Sequence, residues 1–234
     1  MQYGFVKAAA ISPELRLADC AWNAGRIIEA LSAASREGVQ LACLPELCLT
    51  GYTCGDLFLQ DSLLQAAEAA LEQVVNASRN WNLIALVGLP ARVDGKLYNC
   101  AAAVCGGRVL GLVPKTFLPN YAEFYEKRWF TPAPEGVREI ACLGGTAPFG
   151  TRLLFQCRQL PAFCLAAEIC EDLWAPQPPS TAHALAGATL IANLSASDET
   201  AGKAEYRQEL VRGQSARLLC GYLYADAGQG ESIT

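Results

Sequence analysis

Histidine is almost absent: His183 is the only one in 234 residues, so a site built from several imidazoles is excluded. Eleven cysteines are present, yet none stands in the Cys-x-x-Cys spacing common to structural zinc sites. The chain lacks any run approaching the ~20 apolar residues of a membrane helix. It also lacks the charged start, long apolar stretch and cleavage site of a secretory leader. Positive charge is in deficit, with 18 Lys and Arg against 23 Asp and Glu and a net charge of −5. No basic stripe offers itself to a phosphate backbone or an anionic lipid. Repeats, low-complexity tracts and linkers are missing too. These absences argue against a bound metal, nucleic acid and membrane. The odd cysteine count, mostly inside apolar runs, points to reduced thiols and a cytoplasmic protein.

What is present is core-forming material. A hydrophobic fraction of 52% and a charged fraction of 18% describe a packed α/β chain, read as a single domain over residues 1–234. Residues 3–10 form a short strand, residues 15–36 a helix ended by Gly38, and residues 39–44 a second strand, a βαβ unit. A second helix runs from Asp61 and Ser62 to about Arg79, with Ser62 and Gln65 spaced as a capping box. Residues 82–89 open a meander whose hairpin turns are Asp94-Gly95 and Gly106-Gly107, and residues 108–113 are its last strand. Further strands are expected at residues 138–143, 151–157, 160–169, 189–194 and 221–227. A helix is expected at 181–186, and an amphipathic one at 202–219.

Three apolar runs end in a reactive side chain: residues 39–44 lead to Glu46, 108–113 to Lys115, and 160–169 to Cys170. Ligands of α/β sheets bind beyond strand ends, so neighbouring strands would bring the three together. A shielded carboxylate has a raised pKa and takes a proton from a thiol, whose thiolate is the nucleophile. A fixed ammonium stabilises the oxyanion that follows. Taken one at a time, these residues have plainer explanations. Free cysteine is usually buried as a small hydrophobe, and Glu46 and Lys115 alone read as solvated charges. A Cys170/His183 dyad is the fallback if Glu46 lies far off, although His183 reads as a structural helix residue.

The stretches Pro45-Glu46, Pro114 to Glu126 with Lys115 near its start, and Glu168-Ile169-Cys170-Glu171-Asp172-Leu173-Trp174 together resemble the nitrilase superfamily of carbon-nitrogen hydrolases. Their wording is nearest to one branch, the glutaminase domains of glutamine-dependent NAD synthetases. Leu47 to Tyr52 and Asn193 to Ser197 add to the likeness, which covers nearly the whole chain. It implies an αββα sandwich, two mixed sheets with helices on the outer faces, in subunits that pair as homo-oligomers. It implies Glu46 as general base, Lys115 as oxyanion stabiliser and Cys170 as nucleophile. Glu123, eight residues beyond Lys115, matches the superfamily's second glutamate. Tyr121, Glu171, Ser197 and Lys203 would then surround the amino-acid end of glutamine, with Glu171 on the ammonium and Lys203 on the carboxylate.

The function so implied is glutamine amidohydrolysis supplying ammonia for the amidation of deamido-NAD. The hydrolytic step needs no cofactor. A partner synthetase domain would use ATP and magnesium, and no Gly-rich phosphate-binding motif for it occurs here. The chain is therefore expected to be a C-terminally incomplete glutaminase domain. The alternatives are a free-standing amidase on another small amide and a catalytically silent interaction module. Glu171, Asp172 and Ser197 also read as turn or helix caps, and Tyr121, Phe124, Tyr125, Trp129 and Phe130 as packing for a long loop or an interface.

Overall fold

Two sheets lie face to face, each covered on its outside by helices, in a computed structural model that describes residues 4–231. The first sheet begins with β1 (Ala8–Ala10), crosses through helix α1 (Cys20–Arg36) to β2 (Leu41–Cys43), and continues through helix α2 (Asp61–Ala77) to β3 (Ile84–Val93). Strands β4 (Lys96–Cys105) and β5 (Arg108–Pro114) follow as hairpins, and β6 (Arg138–Cys142) and β7 (Gly145–Phe149) complete the order β1-β2-β3-β4-β5-β7-β6. The second sheet holds β8 (Phe155–Gln156), β9 (Cys164–Ile169), β10 (Leu190–Leu194) and β11 (Gly221–Ala225) in the order β11-β10-β9-β8. Between these strands run helices α3 (Glu171–Trp174), α4 (Pro179–Leu185) and α5 (Lys203–Leu218). Both sheets are mixed: β1, β2 and β3 are parallel, as are β9, β10 and β11, whereas β3 to β5 and the β8–β9 pair are antiparallel.

Side-chain alternation along the strands builds the layers. Leu41, Cys43 and Leu86 point inward and meet Leu165, Ala167, Ile169 and Leu194 of the other sheet. Ala42, Ala85 and Val87 point outward onto α1 and α2. Helix α1 buries Ala24, Ile27, Leu31 and Ala34, one face at helical spacing, and Asp19 caps it by accepting from the Trp22 amide at 3.2 Å. On the far side Ala166 and Ile191 pack with Ala184 and Leu218 of α4 and α5. The result is the αββα sandwich with both sheets mixed.

Several local expectations change. The first strand shortens to Ala8–Ala10, and Tyr3, its expected start, lies outside the described residues. No capping box forms, because Gln60 is the N-cap of α2 and gives no side-chain cap bond. The expected strand over 151–157 shrinks to Phe155–Gln156, and β7 was not expected at all. Segment 202–219 is a helix but not an amphipathic one, since Gln214 is its only buried residue. All eleven cysteines are free thiols. Among the described residues no helix is long and apolar enough to cross a membrane.

Candidate active site

Glu46 stands in the turn beyond β2, where Leu47 has a positive φ of 51°. The turn lies flat on β3 because residue 88 is glycine: a Cβ there would come within 2.4 Å of the Leu47 nitrogen and 2.5 Å of the Pro45 oxygen. The Glu46 carboxylate is fully buried. Its Oε1 accepts from Lys115 Nζ and Asn99 Nδ2, both at 2.6 Å, and its Oε2 accepts from the Ala196 amide at 3.1 Å. Burial pushes its pKa up, against the pull of Lys115, from 4.5 to about 7. Such a group can exchange a proton near neutrality.

Lys115 follows directly on β5, and its side chain is wholly enclosed. Nζ lies 2.6 Å from Glu46 and 2.5 Å from Glu126. Burial alone would discharge this ammonium, but Glu126 and Glu46 together hold its pKa well above the usual value. Glu126 Oε1 also accepts from the Tyr52 hydroxyl at 2.7 Å. The expectation that Glu123 supports the lysine is thus corrected. Glu123 is exposed on the rim of the cleft that Cys170 lines, on the side of Asp198, and Glu126 occupies the place beside Lys115. The chain turns back at residues 121–124 and enters a short 3-10 turn, Glu126–Arg128, which aims the second glutamate inward together with Phe130.

Cys170 sits where β9 meets α3, with φ 42° and ψ −99°. A non-glycine residue with positive φ is strained, and such strain gathers at functional sites. Its amide is fully engaged by the Leu194 carbonyl at 2.9 Å and by Asn193 Oδ1 at 3.1 Å. Asn193 is itself held, accepting from Ser195 Oγ at 2.7 Å and donating to Tyr222 Oη at 3.1 Å. Burial first, then the charge of Glu46, raises the thiol pKa well above 9.0, while Lys115 opposes them. The free thiol is therefore protonated, and ionising it requires a nearby base. His183, the fallback base, is engaged elsewhere, with Nε2 against the Thr151 carbonyl at 2.7 Å.

Cys170 lines a cleft of about 270 Å³ together with Tyr121, Glu171, Ser197 and Lys203, so all four expected substrate contacts share one cavity with the thiol. The Tyr121 hydroxyl donates to Glu171 at 2.9 Å, and burial raises the pKa of that carboxyl. Lys203 pairs with Asp198 and lies 5.4 Å from the centre of the Trp174 ring and 5.7 Å from that of Phe124. A carboxylate and an ammonium thus face one small space. Trp174, from the motif around Cys170, also lines the cleft, as does Asp198, which sequence did not single out. A larger cavity of about 390 Å³, bordered by Thr116, Glu135 and Arg152, does not include Cys170.

The carbon-nitrogen hydrolase family pattern matches residues 7–224. The glutamine-dependent NAD(+) synthetase of Mycobacterium tuberculosis is 47% identical over all 234 residues, which make up 34% of its own length. The chain thus spans about a third of that curated relative. The crystal structure of a glutamine-dependent NAD(+) synthetase from Cytophaga hutchinsonii superposes with a TM-score of 0.84 at 34% identity, over 95% of this chain and 36% of that one. A Nesterenkonia amidase of the nitrilase superfamily shares the fold, with a TM-score of 0.74 at 21% identity over 95% of this chain and 76% of its own.

Proposed function

Because the chain belongs to the carbon-nitrogen hydrolase family, we propose that it hydrolyses the amide of glutamine and delivers the ammonia to a synthetase region of a longer, NAD-forming enzyme. One observation carries the reading: the charges of the buried Glu46–Lys115–Glu126 cluster bear on the Cys170 thiol, whose cleft also holds an acidic Glu171 and a basic Lys203. A free amino acid with an amide side chain presents an ammonium, a carboxylate and a carbonyl, and the cleft offers a complement to each. The likeness to glutamine-dependent NAD synthetases along the whole chain supports the same substrate. ATP and magnesium would serve the synthetase region, and no hydrolytic step runs through them. The buried free thiols and the pairing of subunits in the superfamily support a cytoplasmic homo-oligomer.

The chemistry follows from the proton affinities. Glu46 takes the Sγ proton as the thiolate attacks the γ-carboxamide carbon, and the carbonyl π pair moves onto oxygen. Lys115 Nζ and the Glu171 amide hold that oxyanion. The Glu171 amide opens α3 and has no acceptor within the helix. Collapse of the intermediate breaks the carbon–nitrogen bond, and Glu46 returns its proton to the leaving amine, giving ammonia and a γ-glutamyl thioester. Water, deprotonated by Glu46, attacks the thioester, and glutamate leaves as Sγ recovers its proton. Glu126 keeps Lys115 charged and oriented through the cycle.

Ammonia release from glutamine, asparagine and propionamide tests the reading. Glutamine is expected to exceed propionamide by at least ~10²-fold in kcat/KM, since binding both charged ends is worth several kcal/mol. Cys170→Ala is expected to lose all measurable release. A preference for propionamide would make the protein a free-standing amidase, and activity surviving in Cys170→Ala would remove the nucleophile.

A further inference from the structure

Asp172 is a buried carboxylate, 1% exposed, with no ion-pair partner among the described residues. Charges in such positions are costly unless their hydrogen bonds are met. Its two oxygens are met from two different parts of the chain. Oδ2 accepts from the Ile169 amide at 3.0 Å, and Oδ1 accepts from the Thr116 amide at 3.0 Å and the Phe117 amide at 2.8 Å. Ile169 immediately precedes Cys170, and Thr116 immediately follows Lys115. A residue that only capped α3 would accept from amides of that helix's own first turn. Asp172 instead takes two of its three bonds from a segment 55 and 56 positions away. The strands that deliver Lys115 and Cys170, β5 and β9, belong to different sheets, so no ladder sets their spacing.

We propose that Asp172 is a positioning residue that sets the register between the nucleophile Cys170 and the oxyanion-holding Lys115, through one carboxylate that ties the backbone beside each. The proposal rests on the hydrolytic reading above. Nucleophile and lysine must meet one carbonyl group from different directions, and a displacement of about 1 Å costs on the order of 10² in rate. A carboxylate serves because it accepts on both oxygens at once. An asparagine accepts on one oxygen only and would turn an N–H₂ donor towards amides that are themselves donors.

Two reactions of the full chain separate this role from simple support of the fold. Glutamine turnover needs both thiolate and oxyanion site, whereas alkylation of Cys170 by iodoacetamide needs the thiolate but forms no oxyanion. In Asp172→Asn, kcat for glutamine is expected to fall ~10²-fold. KM and the alkylation rate are each expected to stay within about threefold, because Asp172 does not line the cleft. An equal loss of alkylation, or an unchanged kcat, overturns the proposal. Amide hydrogen exchange on the unmodified chain gives a second reading that needs neither a folded variant nor a substrate. The Thr116 and Phe117 amides are expected to be protected, and exchange at the rate of exposed amides overturns the tie. A chain that is alkylated at Cys170 yet releases no ammonia from glutamine overturns the glutamine reading instead, and leaves the exchange result to decide the register.

Discussion

Glu46 meets three donors that favour its charged form, yet its proton affinity lies near neutrality because burial outweighs them. Lys115 shows the reverse balance, since two carboxylates overcome the burial that would discharge it. The pair therefore keeps a fixed cation beside a carboxylate able to accept a proton, the two electrostatic roles that amide hydrolysis needs. Glu126 matters because Lys115 would otherwise share its charge with the base alone. Glu126→Gln is expected to lower kcat by on the order of 10² through a displaced or weakened lysine, and Glu123→Gln, on the rim, by less than about tenfold. Steady-state kinetics with glutamine decide between them, and the opposite ranking would return the supporting role to Glu123. Sequence made Glu46, Lys115 and Cys170 legible because each ends an apolar run. It set Glu123 beside Lys115 where Glu126 stands, because the aim of a loop side chain depends on the path of the loop. Phe130, four residues beyond Glu126 and buried with it, was the available hint.

Elements deliver these residues through turns whose geometry is tightly limited. The Glu46 turn rests on β3 at Gly88, where any side chain would overlap the backbone of Pro45 to Leu47. Gly88→Ala is expected to displace Glu46 and to cut glutamine hydrolysis by at least ~10²-fold, with a loss of stability of about 1–3 kcal/mol from overpacking. Near-normal kcat in a folded Gly88→Ala protein would show that the turn can shift without cost. Elements with strong local signals were legible: helices α1 and α2, the hairpin turns at Asp94-Gly95 and Gly106-Gly107, and β9 running into its thiol. Strand β7 was not, because Gly145–Phe149 contains a proline and little apolar alternation, and it is a strand by virtue of pairing with β6 and touching β5 at Leu112. The capping box failed because the N-cap is Gln60, two residues before Ser62.

At the scale of the whole molecule, a sandwich of two sheets and outer helices buries several carboxyls that an unfolded chain would expose. Burial raises Glu46 to about 7 and Glu231 to about 8. The folded protein holds protons that the unfolded chain releases, so the stability these groups contribute is full below about pH 4 and is lost as pH rises through 7 to 8. Asp56 works in the opposite sense, since Arg128 and Trp129 hold its carboxyl well below the usual range, but its effect falls at lower pH. The melting temperature is therefore expected to drop by roughly 5 °C or more between pH 5.5 and 8.5, and a flat or rising profile in calorimetry would contradict the burial of these acids. Sequence by itself determined the layered α/β class and the three reactive strand ends, because hydrophobic period and strand termination are local properties. The likeness carried by the motifs around those ends supplied the family. Only tertiary structure decided which glutamate reaches Lys115, that Asp172 spans two sheets, and that Trp174 and Asp198 border the cleft. Those contacts join residues from 11 to 56 positions apart, and their distances are set by the paths of the loops and by how one sheet packs on the other.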